Sequence, residues 1–226
     1  MNNNTITKTN ETILYDSEKF KIIEANCNEH VIASAGICSK EFVNCPFFGG
    51  LEVSADDIYL IALEAARQSI KDNLLYVVIE KETDEIVTTS VGLSYKGKQE
   101  FEKAMENIKL SFDLDMYNDL ASQVEIVERN NDPNSVYLYL FATLESKRNM
   151  HLGTNIVKVV LKDLVKKGYK MAYGGTVNEK AEYIVKKNGA KIHKKMFYEN
   201  YEFKGKRLKI IKQGETQTSF VFDLVI

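Results

Sequence analysis

Three cysteines and three histidines are all that the 226-residue chain offers for disulfide or zinc chemistry. Cys27, Cys38 and Cys45 are odd in number and lack ligand spacing, and His30, His151 and His193 are scattered, so neither a disulfide framework nor a metal site is expected. Apolar runs fall well short of the roughly 18 residues that cross a bilayer, and the start MNNNTITKTNET has no apolar core of the signal-peptide kind. The expected compartment is the cytoplasm. Neither sign of charge prevails: 30 Lys plus Arg stand against 32 Asp plus Glu, for a net charge of -2. Such a field recruits neither nucleic acid nor acidic membrane. A basic stretch from Lys186 to Lys212, against only Glu199 and Glu202, reads first as solvated surface and second as a local anion site.

Hydrophobic residues make up 44% and charged residues 27% of the chain, the range of a folded soluble protein, which excludes disordered and collagen-like readings. A chain of this length buries roughly 70% of its unfolded surface, so one domain over residues 13–226, after a flexible start at 1–12, is the expected organisation. KFKIIEA reads as a strand and HVIASAGICSKEF as a helix that ends in the turn chemistry of Asn44, Pro46, Gly49 and Gly50. Ser54 caps a second helix, in which Ile58, Ile61, Ala62, Ala65 and Ile70 recur at helical spacing. LLYVVIE and EIVTTSVGLSY flank the polar KETD as a hairpin, and residues 99–130 carry helical spacing without Gly or Pro. From Asn134 strand and helix alternate: VYLYLFATL, HLGTNIVKVVLKDLVKKG, YKMAYGG, and a helix that Asn178 caps and Gly189 closes. VYLYLFATL is apolar at every alternation, as a central strand covered on both faces would be. AKIHKKMFYENYEF, KRLKII and SFVFDLVI read as terminal strands.

The chemistry is concentrated at Arg148, Asn149, Met150, His151, Leu152, Gly153 and Thr154, between a buried strand and an amphipathic helix. A loop that turns directly into a helix aims unpaired N–H groups forward at the positive end of the helix dipole, which suits a pyrophosphate. The segment is neither a P-loop nor a dinucleotide fingerprint, since it lacks the Gly-Lys-Ser/Thr ending and the three glycines.

Residues 134–202 resemble the acyl-CoA-binding core of the GNAT superfamily of N-acetyltransferases. The family's Gln/Arg-x-x-Gly-x-Gly/Ala loop is matched by Arg148 and Gly153, and its Asn-x-x-Ala helix by Asn178, Ala181, Lys187 and Gly189. KDNLLYVVI, the helical insert before the central strand and MFYENYEFKG look like the arylalkylamine N-acetyltransferase branch. The resemblance implies a mixed α/β fold with a mostly antiparallel central sheet, whose two splayed middle strands are flanked by helices. It implies acetyl-CoA threaded between those strands, with backbone near Phe141, Ala142 and Thr143 on the pantetheine arm. The loop from Arg148 to Thr154 would cradle the pyrophosphate and the helix of Asn178 and Ala181 would flank the thioester. A primary amine of a small molecule would attack directly, with no acyl-enzyme; the acceptor would be arylalkylamine-, polyamine- or amino-acid-like.

Two positions depart from the family pattern. His151 stands at the first loop glycine, and Val185 replaces the tyrosine that many members use as a proton donor. Tyr183 is no simple substitute, because two residues along a helix is a rotation of about 200 degrees. Candidate bases are Glu41, which falls near the branch's catalytic glutamate, and Glu145; Tyr173 is an alternative proton donor. Phe47 and Phe48 are candidates for an apolar acceptor wall, and Thr176 is the nearest hydroxyl to the serines some members use. The expected assembly is a monomer or homodimer that binds neither nucleic acid nor membrane. A catalytically weak acyl-CoA-binding module and a protein N-acetyltransferase stay open as alternatives.

Overall fold

A computed structural model describes residues 11–124, 132–209 and 213–224. Strands β1 (Thr12–Asp16) and β2 (Phe20–Glu24) lead into helices α1 (Asn28–Phe42), α2 (Pro46–Gly50) and α3 (Ala55–Lys71). The hairpin β3 (Leu75–Glu80) and β4 (Ile86–Ser94) precedes α4 (Tyr95–Met105) and α5 (Leu114–Ser122). The alternating part is β5 (Ser135–Thr143), α6 (Leu152–Lys166), β6 (Met171–Thr176) and α7 (Glu179–Lys187). It is followed by β7 (Lys191–Phe197), the short pair β8 (Glu202–Phe203) and β9 (Lys206–Arg207), and β10 (Thr216–Asp223). Residues 1–10 of the expected flexible start, and Ile210 and Ile211 of the expected KRLKII strand, lie outside the described residues.

The helix starts follow their caps. Ser54 Oγ accepts the Asp57 N–H at 3.1 Å to open α3, and Asn178 Oδ1 accepts the Ala181 N–H at 2.8 Å to open α7. Gly168 and Gly189, at φ of 84 and 95 degrees, supply the left-handed turns after α6 and α7. PFFGG differs from its sequence reading as a turn. Pro46 sits at the start of a short helix, where its missing N–H costs nothing, and burial of Phe47 and Phe48 holds the turn helical.

Eight strands form one sheet in the order β1-β2-β3-β4-β5-β6-β10-β7, and only the β5–β6 pairing is parallel. One face packs Val77, Ile79, Leu93, Leu140 and Ala142 against α1 and α3, through Val31, Ala35, Ile61 and Ala65. The other packs Tyr76, Val78, Val136 and Phe220 against Ile156, Val160 and Leu164 of α6. Each of the Val, Leu, Ile and Phe side chains among them contributes about 1.5–3 kcal/mol of hydrophobic stabilisation when fully buried.

The register between β4 and β5 slips by one residue. Gly92 pairs with Leu138 and Val91 with Leu140, which leaves Tyr139 as the extra residue of a β-bulge. The bulge resets the alternation of side chains, so Tyr139 and Leu140 both pack on the α1 side and Phe141 turns toward α6. Bulged strands bend, and this one leaves its parallel neighbour at the same point. The β5–β6 pairing ends at Leu138 and Gly174, after which β5 runs on beside β4 and β6 beside β10.

Candidate active site

The divergence of β5 and β6 opens a split in the middle of the sheet. A cavity of about 420 Å³ occupies it, lined from one face by Val157, Asn178, Ala181 and Val185 and from the other by Phe47, Phe48, Tyr117 and Tyr139. Gly174 stands at the apex: a Cβ there would lie 2.5 Å from the Leu138 carbonyl oxygen and 2.9 Å from the Phe220 ring. Along Phe141, Ala142 and Thr143 the backbone pairs with β4 on one side only, so the groups that point into the split have no strand partner.

On the α6 side, the first helical bond runs from the Asn155 N–H to the His151 oxygen at 3.0 Å. The amides of Leu152, Gly153 and Thr154 therefore lack a helical acceptor and present the positive end of the dipole. Gly153 brings this helix end down onto the strand beyond the bulge, since a Cβ would lie 2.9 Å from the Phe141 ring and 3.0 Å from the Ile184 methyl group. Its glycine thus serves helix packing as well as ligand approach.

His151 caps α6 with φ 58 and ψ 12 degrees, a left-handed conformation, and its side chain is exposed. That backbone state explains the glycine of the family pattern, because a side chain there costs about 1–2 kcal/mol. His151→Gly should stabilise the fold by about 0.5–1 kcal/mol after the extra freedom of an unfolded glycine is deducted, read as a higher urea midpoint. Coenzyme A affinity should be unchanged; a weaker affinity would give the imidazole a part in phosphate binding.

Arg148 is already engaged. Its Nη2 pairs with Glu41 Oε2, and the Glu145 N–H donates to Glu41 Oε1 at 3.0 Å, so the end of α1 is tied to the loop before α6. The Glu41 side chain is 7% exposed and that of Glu145 81%. Neither residue lines the cavity, where the charged residues are Lys98 and Glu102 of α4. Asn149 and Met150 are exposed in the loop, and Asn149 shares the left-handed backbone of His151 at φ 67 degrees.

The opposite wall is aromatic. Tyr137 lies 5.2 Å from Tyr173 and 5.6 Å from Tyr139 between ring centres, Phe47 lies 5.3 Å from Tyr117, and the Tyr117 and Tyr139 hydroxyls meet at 3.1 Å. Burial pushes both of these phenols above their ordinary value, so they stay protonated at neutral pH. Thr176 lines the cavity with its hydroxyl bonded to Thr218 at 2.6 Å. Val185 is buried at the cavity edge, while Tyr183 is 63% exposed and turned away. Cys45 behind Phe47 has its thiol pushed up to about 11 by burial, which leaves no thiolate for a covalent route there.

Of the residues singled out from the sequence, the cavity gathers Phe47, Phe48, Phe141, Tyr173, Thr176, Asn178 and Ala181. Tyr117, Gln217 and Ser219 also line it and carry no local signal in the sequence, since what marks them is tertiary.

No family model matches the chain, and no curated protein matches it in sequence. Solved structures match it closely in shape. The C-terminal condensation domain of Ebony in complex with beta-alanyl-dopamine superposes with a TM-score of 0.77 at 15% identity, over 91% of this chain and 99% of that one. The chain has the GNAT acetyltransferase fold. Arylalkylamine N-acetyltransferase 2 from Aedes aegypti gives 0.74 at 9% identity, again over 91% and 99%. Drosophila melanogaster polyamine N acetyltransferase, which forms N-acetylagmatine, gives 0.68 at 12% identity over 90% and 99%.

Proposed function

We propose that the protein transfers the acetyl group of acetyl-CoA to the primary amine of a small molecule. The observation that carries the reading is the cavity at the sheet split, walled on one face by aromatic side chains and on the other by α6 at Val157, a helix whose first three amides lack helical acceptors. The amides of Leu152 to Thr154 suit a pyrophosphate, and the one-sided backbone of Phe141 to Thr143 suits the amide groups of a pantetheine arm. When bound, the cofactor supplies an acetyl group already activated as a thioester.

The remaining work falls to the chain. The apolar wall of Phe47 and Phe48 disfavours an ammonium and so favours the neutral, nucleophilic amine. Tyr173, on the aromatic face of the split and across the sheet from Val185, is the proposed proton donor to the leaving thiolate. With a single carboxylate, Glu102, in the lining, and that one within 3.6 Å of Lys98, the cavity suits an arylalkylamine better than a polycation.

A thermal titration with acetyl-CoA tests this. At 100 times its dissociation constant a ligand specific to the native state stabilises by about 2.7 kcal/mol, and amine-dependent release of the CoA thiol should accompany it. A shift without thiol release from any amine would leave an acyl-CoA-binding module, and release only with peptides would leave a protein acetyltransferase. Absence of a shift would overturn the reading.

A further inference from the structure

The floor of the aromatic end carries two polar side chains with nothing to bond. Gln217 Oε1 and Ser219 Oγ are buried and have no hydrogen-bond partner, and both residues line the cavity. They are 5% and 3% exposed. A buried acceptor or hydroxyl left unpaired is costly, and native chains keep few of them. Thr216 Oγ1 on the same strand is also unpartnered but is not in the cavity lining; the two that are call for a ligand group.

Their placement restricts that group. Gln217 and Ser219 are two residues apart on β10 and so share a face, roughly 6.5–7 Å from each other along the strand. Ser219 lies opposite Gly175 on β6, where an added Cβ would meet only the Thr218 oxygen, at 3.5 Å; the neighbouring strand thus leaves the space beside Ser219 open. Tyr173 stands two residues before Gly175 on the same face of β6, so an aromatic body against Tyr173 would point its far edge toward β10. A carbonyl oxygen needs a donor, and a serine hydroxyl both gives and accepts. A hydroxyl satisfies the pair; a carboxylate or second ammonium would find no opposite charge in the cavity lining other than Lys98 and Glu102 of α4, which pair with each other.

We infer that Gln217 and Ser219 select an acceptor whose ring carries a hydroxyl at the end remote from the amine. This deepens the acetyltransferase reading and rests on it for the identity of the amine. The probe is a matched pair, tyramine and phenethylamine, which differ by that hydroxyl alone. Binding to the protein saturated with coenzyme A is measured by calorimetry, and acetyl transfer by thiol release. The wild type should bind tyramine about 10-fold or more tightly than phenethylamine, because a site built for a hydroxyl rejects the analogue that lacks it. In Gln217→Met with Ser219→Ala the ratio should fall to near one, through loss of tyramine affinity and not of phenethylamine affinity. The double variant should melt no lower than the wild type, since it removes two unsatisfied polar groups; Ser219→Ala alone gives a milder second variant.

Equal binding of the two amines by the wild type, no measurable binding of either, or a preference that survives both substitutions would overturn the inference. Hydroxyl-dependent binding without thiol release would uphold it while overturning the acetyltransferase reading. Thiol release with no hydroxyl preference would do the reverse.

Discussion

Alanine at Gly174 should cost the protein more function than any other single methyl group in the cavity lining. The added Cβ would stand 2.5 Å from the Leu138 carbonyl oxygen and 2.9 Å from the Phe220 ring. The first obstacle is backbone, which cannot swing aside as a side-chain end does. Relief requires β5 and β6 to separate before their parallel pairing is complete, and overpacking of this kind costs about 1–3 kcal/mol or more. Movement at the apex also displaces the edge of β5 that faces the split, and small misplacements of a reacting centre are costly, so acetyl transfer should fall by about 100-fold. Gly175→Ala is the control, because its Cβ meets only the Thr218 oxygen, at 3.5 Å, and should leave the melting temperature within a degree or two and transfer to phenethylamine, which has no hydroxyl to seat beside Ser219, within a few-fold. Equal effects of the two substitutions, in melting and in single-turnover rate, would remove the apex from its role.

The residues that declare themselves in sequence are those whose partners are near in the chain. Ser54 and Asn178 each cap the residue three positions on, and the apolar stripe of α6 is fixed by its own period, so these elements stand where their spacing puts them. β1 has no such signal. It is an edge strand exposed on most positions, and its sheet character comes only from pairing with β2. The bulge at Tyr139 is equally hidden, since it exists only as a slip against β4, and VYLYLFATL reads as a regular strand until that partner is known. Tyr139 accordingly has no mark of its own within that apolar strand, whereas its hydroxyl meets that of Tyr117 at the cavity wall. Gln217 and Ser219 alternate with Thr216 and Thr218 in a stretch that looks like any polar strand. What sets them apart is which face the split leaves open, and no local pattern encodes that.

Glu41 and Arg148 are a long-range case, 107 residues apart in the chain and paired in space. Their substitutions should be unequal. The Glu41 carboxylate is 7% exposed and the Arg148 side chain 42%, so Arg148→Ala strands a buried charge with only the Glu145 amide, whereas Glu41→Gln leaves a cation that solvent can reach. Arg148→Ala should therefore destabilise by about 2–3 kcal/mol and Glu41→Gln by about 1 kcal/mol, read from urea midpoints. The functional effect should also differ from that of losing a general base. Glu41 braces the loop whose amides are proposed to hold the pyrophosphate, which makes it a positioning residue, and Glu41→Gln should raise KM for acetyl-CoA about 10-fold with kcat nearly unchanged. The pH dependence of kcat should keep its acid limb, because the neutral amine and not Glu41 would set it. A drop in kcat of about 100-fold with that limb flattened would instead make Glu41 the base that takes the amine proton. Measuring both substrates' KM across pH separates the two roles in one variant, and the geometry favours the first, since both carboxylate oxygens are already occupied by the loop they hold.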